Sequence, residues 1–132
     1  MFCNFKPSNV FFSKQTQTIT LTDYFNLSEY FNISRESITK NPIYSAPENV
    51  LFGQYFEQSD VWRVGCFVGE MLTCIRPWFK ETTSGEQIVE SLRRGARPPL
   101  PEKVSKAGRD FMEKCFEADH NRRISVEELL KH

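Results

Sequence analysis

Between Ser59 and Leu72 the chain reads Ser-Asp-Val-Trp-Arg-Val-Gly-Cys-Phe-Val-Gly-Glu-Met-Leu, and this stretch constrains the fold more than any other. Val61, Val64, Val68, Met71 and Leu72 recur at helical spacing, while Trp62, Cys66 and Phe67 occupy the remaining sides. A surface helix carries one apolar stripe; a helix apolar nearly all round belongs in an interior. The pattern predicts a central buried helix over about 59–74. Ser59 or Asp60 offers a short side-chain oxygen to cap its first turn. Gly65 and Gly69, four residues apart, each cost roughly 1 kcal/mol of helix propensity relative to alanine. Such a cost in a central helix points to close approach of another part of the chain.

At 132 residues one domain is expected, long enough to bury a core. Seventeen basic and seventeen acidic residues give a formal net charge of zero, so no basic stripe argues for nucleic acid. No apolar run approaches the roughly 20 residues of a membrane span, and no charged segment followed by an apolar one opens the chain as a secretory signal would. Cys3, Cys66, Cys74 and Cys115 form no metal-binding pattern; Cys66 and Cys74 stand about 12 Å apart by helical rise, beyond disulfide reach. They read as reduced, mostly buried thiols of a cytoplasmic protein. In that compartment the sequons at Asn26 and Asn32 are chance matches.

Residues 10–13 and 19–22 are short β-favouring runs joined by polar residues, a small hairpin. Residues 23–45 show no sustained period, and a loop that long inside one domain is either functional or disordered. Pro47 suits the first turn of a short helix through Val50 or Leu51. Pro77 ends the central helix. Ser84 caps a helix through Arg94, with Gly95 as its terminator and charges placed to suit the helix dipole. Ser105 caps the next, with Gly108, Phe111, Met112 and Cys115 facing inward. Ser125 and Glu128 form a capping box for a last helix. A hairpin followed by helices makes a mainly α domain.

Five stretches in this order resemble the C-terminal lobe of a eukaryotic protein kinase. Asn4-Phe5-Lys6-Pro7-Ser8-Asn9 looks like the catalytic loop, H-R-D-x-K-x-x-N. Asp23-Tyr24-Phe25 stands where D-F-G is expected. Ala46-Pro47-Glu48 matches the A-P-E closing an activation segment that would run over 23–48. Ser59-Asp60-Val61-Trp62 with Gly65 looks like the family's central helix. The tail from Asp119 to Leu130 resembles its last helices, with Arg123 at the family's arginine. The phrasing is closest to serine/threonine kinases of the STE type, such as mitogen-activated kinase kinase kinases. The resemblance covers essentially all of 1–132 as a partial kinase domain.

The resemblance implies ATP and Mg²⁺ as cofactors and a protein substrate or signalling partner. It implies that Lys6 neutralises the transferring phosphoryl group, and that Asn9 and Asp23 hold magnesium through hard oxygen ligands. It implies that Asp60 accepts hydrogen bonds from backbone amides near Cys3, fixing the catalytic loop. Glu48 would pair with Arg123 and anchor the activation segment to the tail. Taken alone, Lys6 and Asn9 read as a turn around Pro7, and for Asp23 a metal ligand competes with a solvated loop carboxylate.

The departures from the family pattern fall on the chemistry. Asn4 stands where the family has the aspartate that takes the substrate proton, and a carboxamide has no useful basicity; a general base is worth about 10²–10⁴ in rate. Phe2 and Cys3 replace the preceding histidine and arginine. Phe25 replaces the glycine of D-F-G, and Asn41 the threonine before A-P-E. The 132 residues contain no glycine-rich loop, strand lysine or adenine-binding hinge, so the N-terminal lobe is expected to be absent and Phe2, Phe5, Phe11 and Phe12 to be exposed. Ser28, Ser34, Ser37 and Thr39 are candidate phosphorylation positions, His120 and His132 read as surface histidines, and Arg93, Arg94 and Arg97 as a solvated basic cluster. Two functions follow: a serine/threonine-kinase-like domain inactive by itself, or a non-catalytic pseudokinase remnant that binds proteins through its helices.

Overall fold

The computed structural model of the chain describes residues 6–22, 42–79 and 84–132. A 3-10 turn over Pro7–Asn9 leads into strand β1 (Val10–Ser13), which pairs antiparallel with β2 (Thr18–Leu21). Val10 stands opposite Leu21 and Ser13 opposite Thr18, so the second strand lies one residue earlier than the sequence pattern suggests. Among the described residues five helices follow: α1 (Pro47–Phe52), α2 (Glu57–Thr73), α3 (Gly85–Arg93), α4 (Lys106–Cys115) and α5 (Val126–Leu129). The architecture is mainly helical with one two-stranded sheet, as expected.

The local signals behave as their chemistry dictates. Pro47 opens α1, whose missing amide is no loss at a first helical position, and Gly53 closes it with φ 68°. The Ser84, Ser105 and Ser125 hydroxyls accept from the amides of Gln87, Gly108 and Glu128, and Glu128 reaches back to the Ser125 amide. Helix α2 begins two residues before the expected cap. Phe56 occupies the capping position, and Ser59 sits inside the first turn, where its hydroxyl accepts from the Phe56 amide at 3.2 Å. The helix closes at Cys74 as expected, turning left-handed at φ 56° three residues before Pro77; Cys74 is exposed rather than buried.

The core gathers around the first half of α2. Val61, Trp62 and Cys66 are buried there with Val50 of α1, Ile88 and Leu92 of α3, and Met112, Cys115 and Phe116 of α4 and its end. Helix α2 packs chiefly on α4, and Trp62 meets the Phe116 ring edge-on at 5.1 Å. The all-round burial expected of α2 holds only for this half. Met71 and Leu72 in its last turn are more than half exposed. Close approach at Gly65 is borne out: a Cβ there would lie 2.6 Å from the Cys115 Cβ. At Gly69 the nearest atom, the Met112 sulfur, is at an ordinary 3.6 Å. Phe11 and Phe12 are exposed as expected, joined by Ile19 on the same hairpin; Phe2 and Phe5 lie outside the described residues.

Candidate functional site

Pro7 fixes the backbone of a tight turn, and the Asn9 amide donates to the Lys6 carbonyl at 3.0 Å. The turn brings Lys6 and Asn9 together, with Asn9 buried and Lys6 half-buried. The Ser8 hydroxyl donates to the Asn9 side-chain oxygen at 3.4 Å. The Thr22 amide donates to the Asn9 carbonyl at 2.9 Å, so the end of β2 is stitched to this turn. Asn4 and Asp23 lie outside the described residues, as do Cys3, Phe25, Asn41 and the candidate phosphorylation positions Ser28, Ser34, Ser37 and Thr39. Of the expected nucleotide-facing set, Lys6 and Asn9 are therefore placed, in one turn. Among the described residues no cluster of three His, Cys, Asp or Glu side chains forms a metal site of its own.

The expected pair at the other end is present. Arg123 donates from Nη1 to Glu48 Oε1 at 2.8 Å and from Nη2 to Oε2 at 2.9 Å, a bidentate fork between α1 and the segment before α5. Nε reaches the Glu117 carbonyl at 2.8 Å, and Nη1 also reaches that of Gln58 at 2.7 Å. The guanidinium lies over the Trp62 ring, 5.1 Å from its centroid. Both residues are buried. Burial alone pushes the Glu48 carboxyl up, but hydrogen bonds and charge from Arg123, with a bond from Ser59, hold it below the ordinary glutamate range.

Two residues of this polar core went unread in the sequence. Asn49 donates to the Gln54 carbonyl at 2.7 Å and to the Ser59 hydroxyl at 3.1 Å. Arg63, buried in α2, donates from Nη2 to Asn49 Oδ1 at 2.9 Å and from Nη1 to Asp60 Oδ1 at 3.2 Å. Ser59 completes the chain by donating to Glu48 Oε1 at 2.7 Å. The i,i+3 spacing of Asp60 and Arg63 was the available signal. The partner expected for Asp60, near Cys3, lies outside the described residues.

The histidines are not bare surface groups. His120 stacks on Phe56 at 4.0 Å and 3° between planes, and His132 Nε2 lies 2.7 Å from Asp110 Oδ2. Lys114 also meets that oxygen at 2.7 Å, and Lys114 and His132 together hold the Asp110 carboxyl below its usual range. Arg93, Arg94 and Arg97 are exposed and engaged by Glu90 or Glu113. An apolar cleft of about 410 Å³ lies between the last turns of α2 and Pro98–Pro101; neither Lys6 nor Asn9 lines it.

With this geometry in hand, comparison with known proteins places the chain. The protein kinase domain family matches residues 1–132. The chain belongs to the protein kinase family. It is 35% identical over 97 residues, 74% of its length, to mitogen-activated protein kinase kinase kinase 3 of Arabidopsis thaliana. It is 32% identical over 128 residues, 96% of its length, to cell division control protein 7 of Schizosaccharomyces pombe. Over 92 residues it is 37% identical to human mitogen-activated protein kinase kinase kinase 4. The chain spans 15%, 12% and 6% of the lengths of these three relatives.

Proposed function

We propose that this chain forms the C-terminal-lobe part of a serine/threonine protein kinase domain of the STE type, and that by itself it does not transfer phosphate. The observation that carries the reading is the bidentate Glu48–Arg123 fork. It joins the Ala46-Pro47-Glu48 motif to the tail, which supports reading Glu48 as the anchor of an activation segment. At the other end, Lys6 would meet the phosphates of ATP, and Asn9 with Asp23 would offer oxygen to Mg²⁺. Bound there, the cation would neutralise phosphate charge. Lys6 would orient the terminal phosphate, and the buried Asn9 would hold its carboxamide in one rotamer. Asp60 would hold the catalytic-loop backbone through its amides.

Asn4 carries the loss of activity. A carboxamide cannot take the hydroxyl proton of a protein substrate, and Phe25 removes the backbone freedom of glycine beside Asp23. Partners are proteins, and the compartment is the cytoplasm, which suits the free Cys66, Cys74 and Cys115 thiols. No described helix is long and apolar enough to cross a membrane. The test is radiolabelled ATP with a generic protein substrate. Incorporation should equal that of an Asp23→Ala variant; incorporation above it would overturn the proposal.

A second reading, a non-catalytic pseudokinase module that binds proteins, is favoured by one observation. Phe11, Phe12 and Ile19 stand exposed on a two-stranded hairpin, more apolar surface than so small a sheet needs.

A further inference from the structure

The polar core of α1 and α2 is one continuous chain of contacts. It runs from Arg123 to Glu48, through Ser59 and Asn49 to Arg63, and ends on Asp60. Two guanidiniums and two carboxylates enter it, so their formal charges cancel. The Asn49 amide is used both ways, donating from Nδ2 and accepting at Oδ1, so its orientation is fixed. The Arg63 side chain is 4% exposed and that of Asp60 16%. A planar fork holds two oxygen partners in set directions, as an ammonium does not. Burying such a cation is costly, and space alone could be filled by an apolar side chain.

We infer that Arg63 is a positioning residue: it fixes the Asp60 carboxylate and ties it, through Asn49, to the Glu48–Arg123 clasp. This rests on the reading above in which Asp60 holds the catalytic-loop backbone. On that reading Arg63 couples the phosphate-facing turn at Lys6–Asn9 to the anchored segment at Glu48. A single buried relay sets both ends of the site.

Amide hydrogen exchange on the full chain tests this. In Arg63→Met, exchange at Asn9 and Val10, whose amides are bonded to the Lys6 and Pro7 carbonyls, should quicken by about tenfold or more, while Met112 and Cys115 in α4 change by less than about threefold. Arg63→Lys should fall between, because it keeps the charge without the fork. Asp60→Asn should copy Arg63→Met, and Asp60→Asn with Arg63→Met should be no worse than Asp60→Asn alone. If Arg63→Met does not fold, the charge-balanced double variant carries the same readout. A uniform rise along the chain, or unchanged exchange at Asn9 and Val10 in a folded variant, would overturn the inference. Mg·ATP titration of the unaltered chain is scored apart: absence of binding removes the nucleotide reading and leaves exchange to decide on Arg63.

Discussion

A Cβ placed on Gly65 would lie 2.6 Å from the Cβ of Cys115 and 2.9 Å from the Phe116 ring. Helix α2 therefore meets α4 at a separation only glycine permits. Gly65→Ala should destabilise the domain by about 1–3 kcal/mol, overpacking outweighing the gain in helix propensity. Gly69→Ala, whose new methyl meets the Met112 sulfur at 3.6 Å, should be neutral or stabilising by up to about 1 kcal/mol. Urea unfolding of both variants checks the pair, and equal effects would contradict the contact.

Acid should weaken the clasp in a defined direction. The folded-state Glu48 carboxyl sits below its ordinary value of 4.5. A group lowered on folding contributes stability that is present above the unfolded value and lost as pH falls through the folded one. The stability gap between the native chain and Glu48→Gln should hold at neutral pH and shrink below about pH 4.5. Denaturant midpoints across that range read this directly; a gap that widens in acid would contradict the assignment.

Tyr44 donates to Glu70 Oε2 at 2.6 Å, tying the segment before α1 to the last turn of α2. Burial, reinforced by this bond to a carboxylate, raises the phenol above its ordinary range. Tyr44→Phe should cost about 1–2 kcal/mol and leave the helix content unchanged, as circular dichroism with thermal melting would show.

Much of the frame was legible because local chemistry sets it. Ser84, Ser105 and Ser125 cap where short hydroxyls precede helical runs, Pro47 opens a helix, and Gly65 marks a close approach. What escaped depends on partners distant in sequence. Ser59 reads as a cap, yet its hydroxyl is needed by Glu48, eleven residues away. Arg63 went unread inside an apolar helix, and its use appears only when α1 brings Asn49 to it. The burial of α2 was overestimated because periodicity gives the apolar faces of a helix without the elements that cover them; Met71 and Leu72 stay more than half exposed. His120 carries no signal in sequence, since its stacking partner Phe56 is sixty-four positions earlier.

The central claim is that Glu48 and Arg123 clasp the two ends of the helical body into one unit. A double-mutant cycle of Glu48→Ala and Arg123→Ala, read by chemical unfolding, measures it. Each single variant should lose roughly 3–5 kcal/mol, because the remaining buried charge is uncompensated, and the double variant should lose little more than either. Losses that simply add, or an Arg123→Ala variant with unchanged melting temperature, would contradict the account.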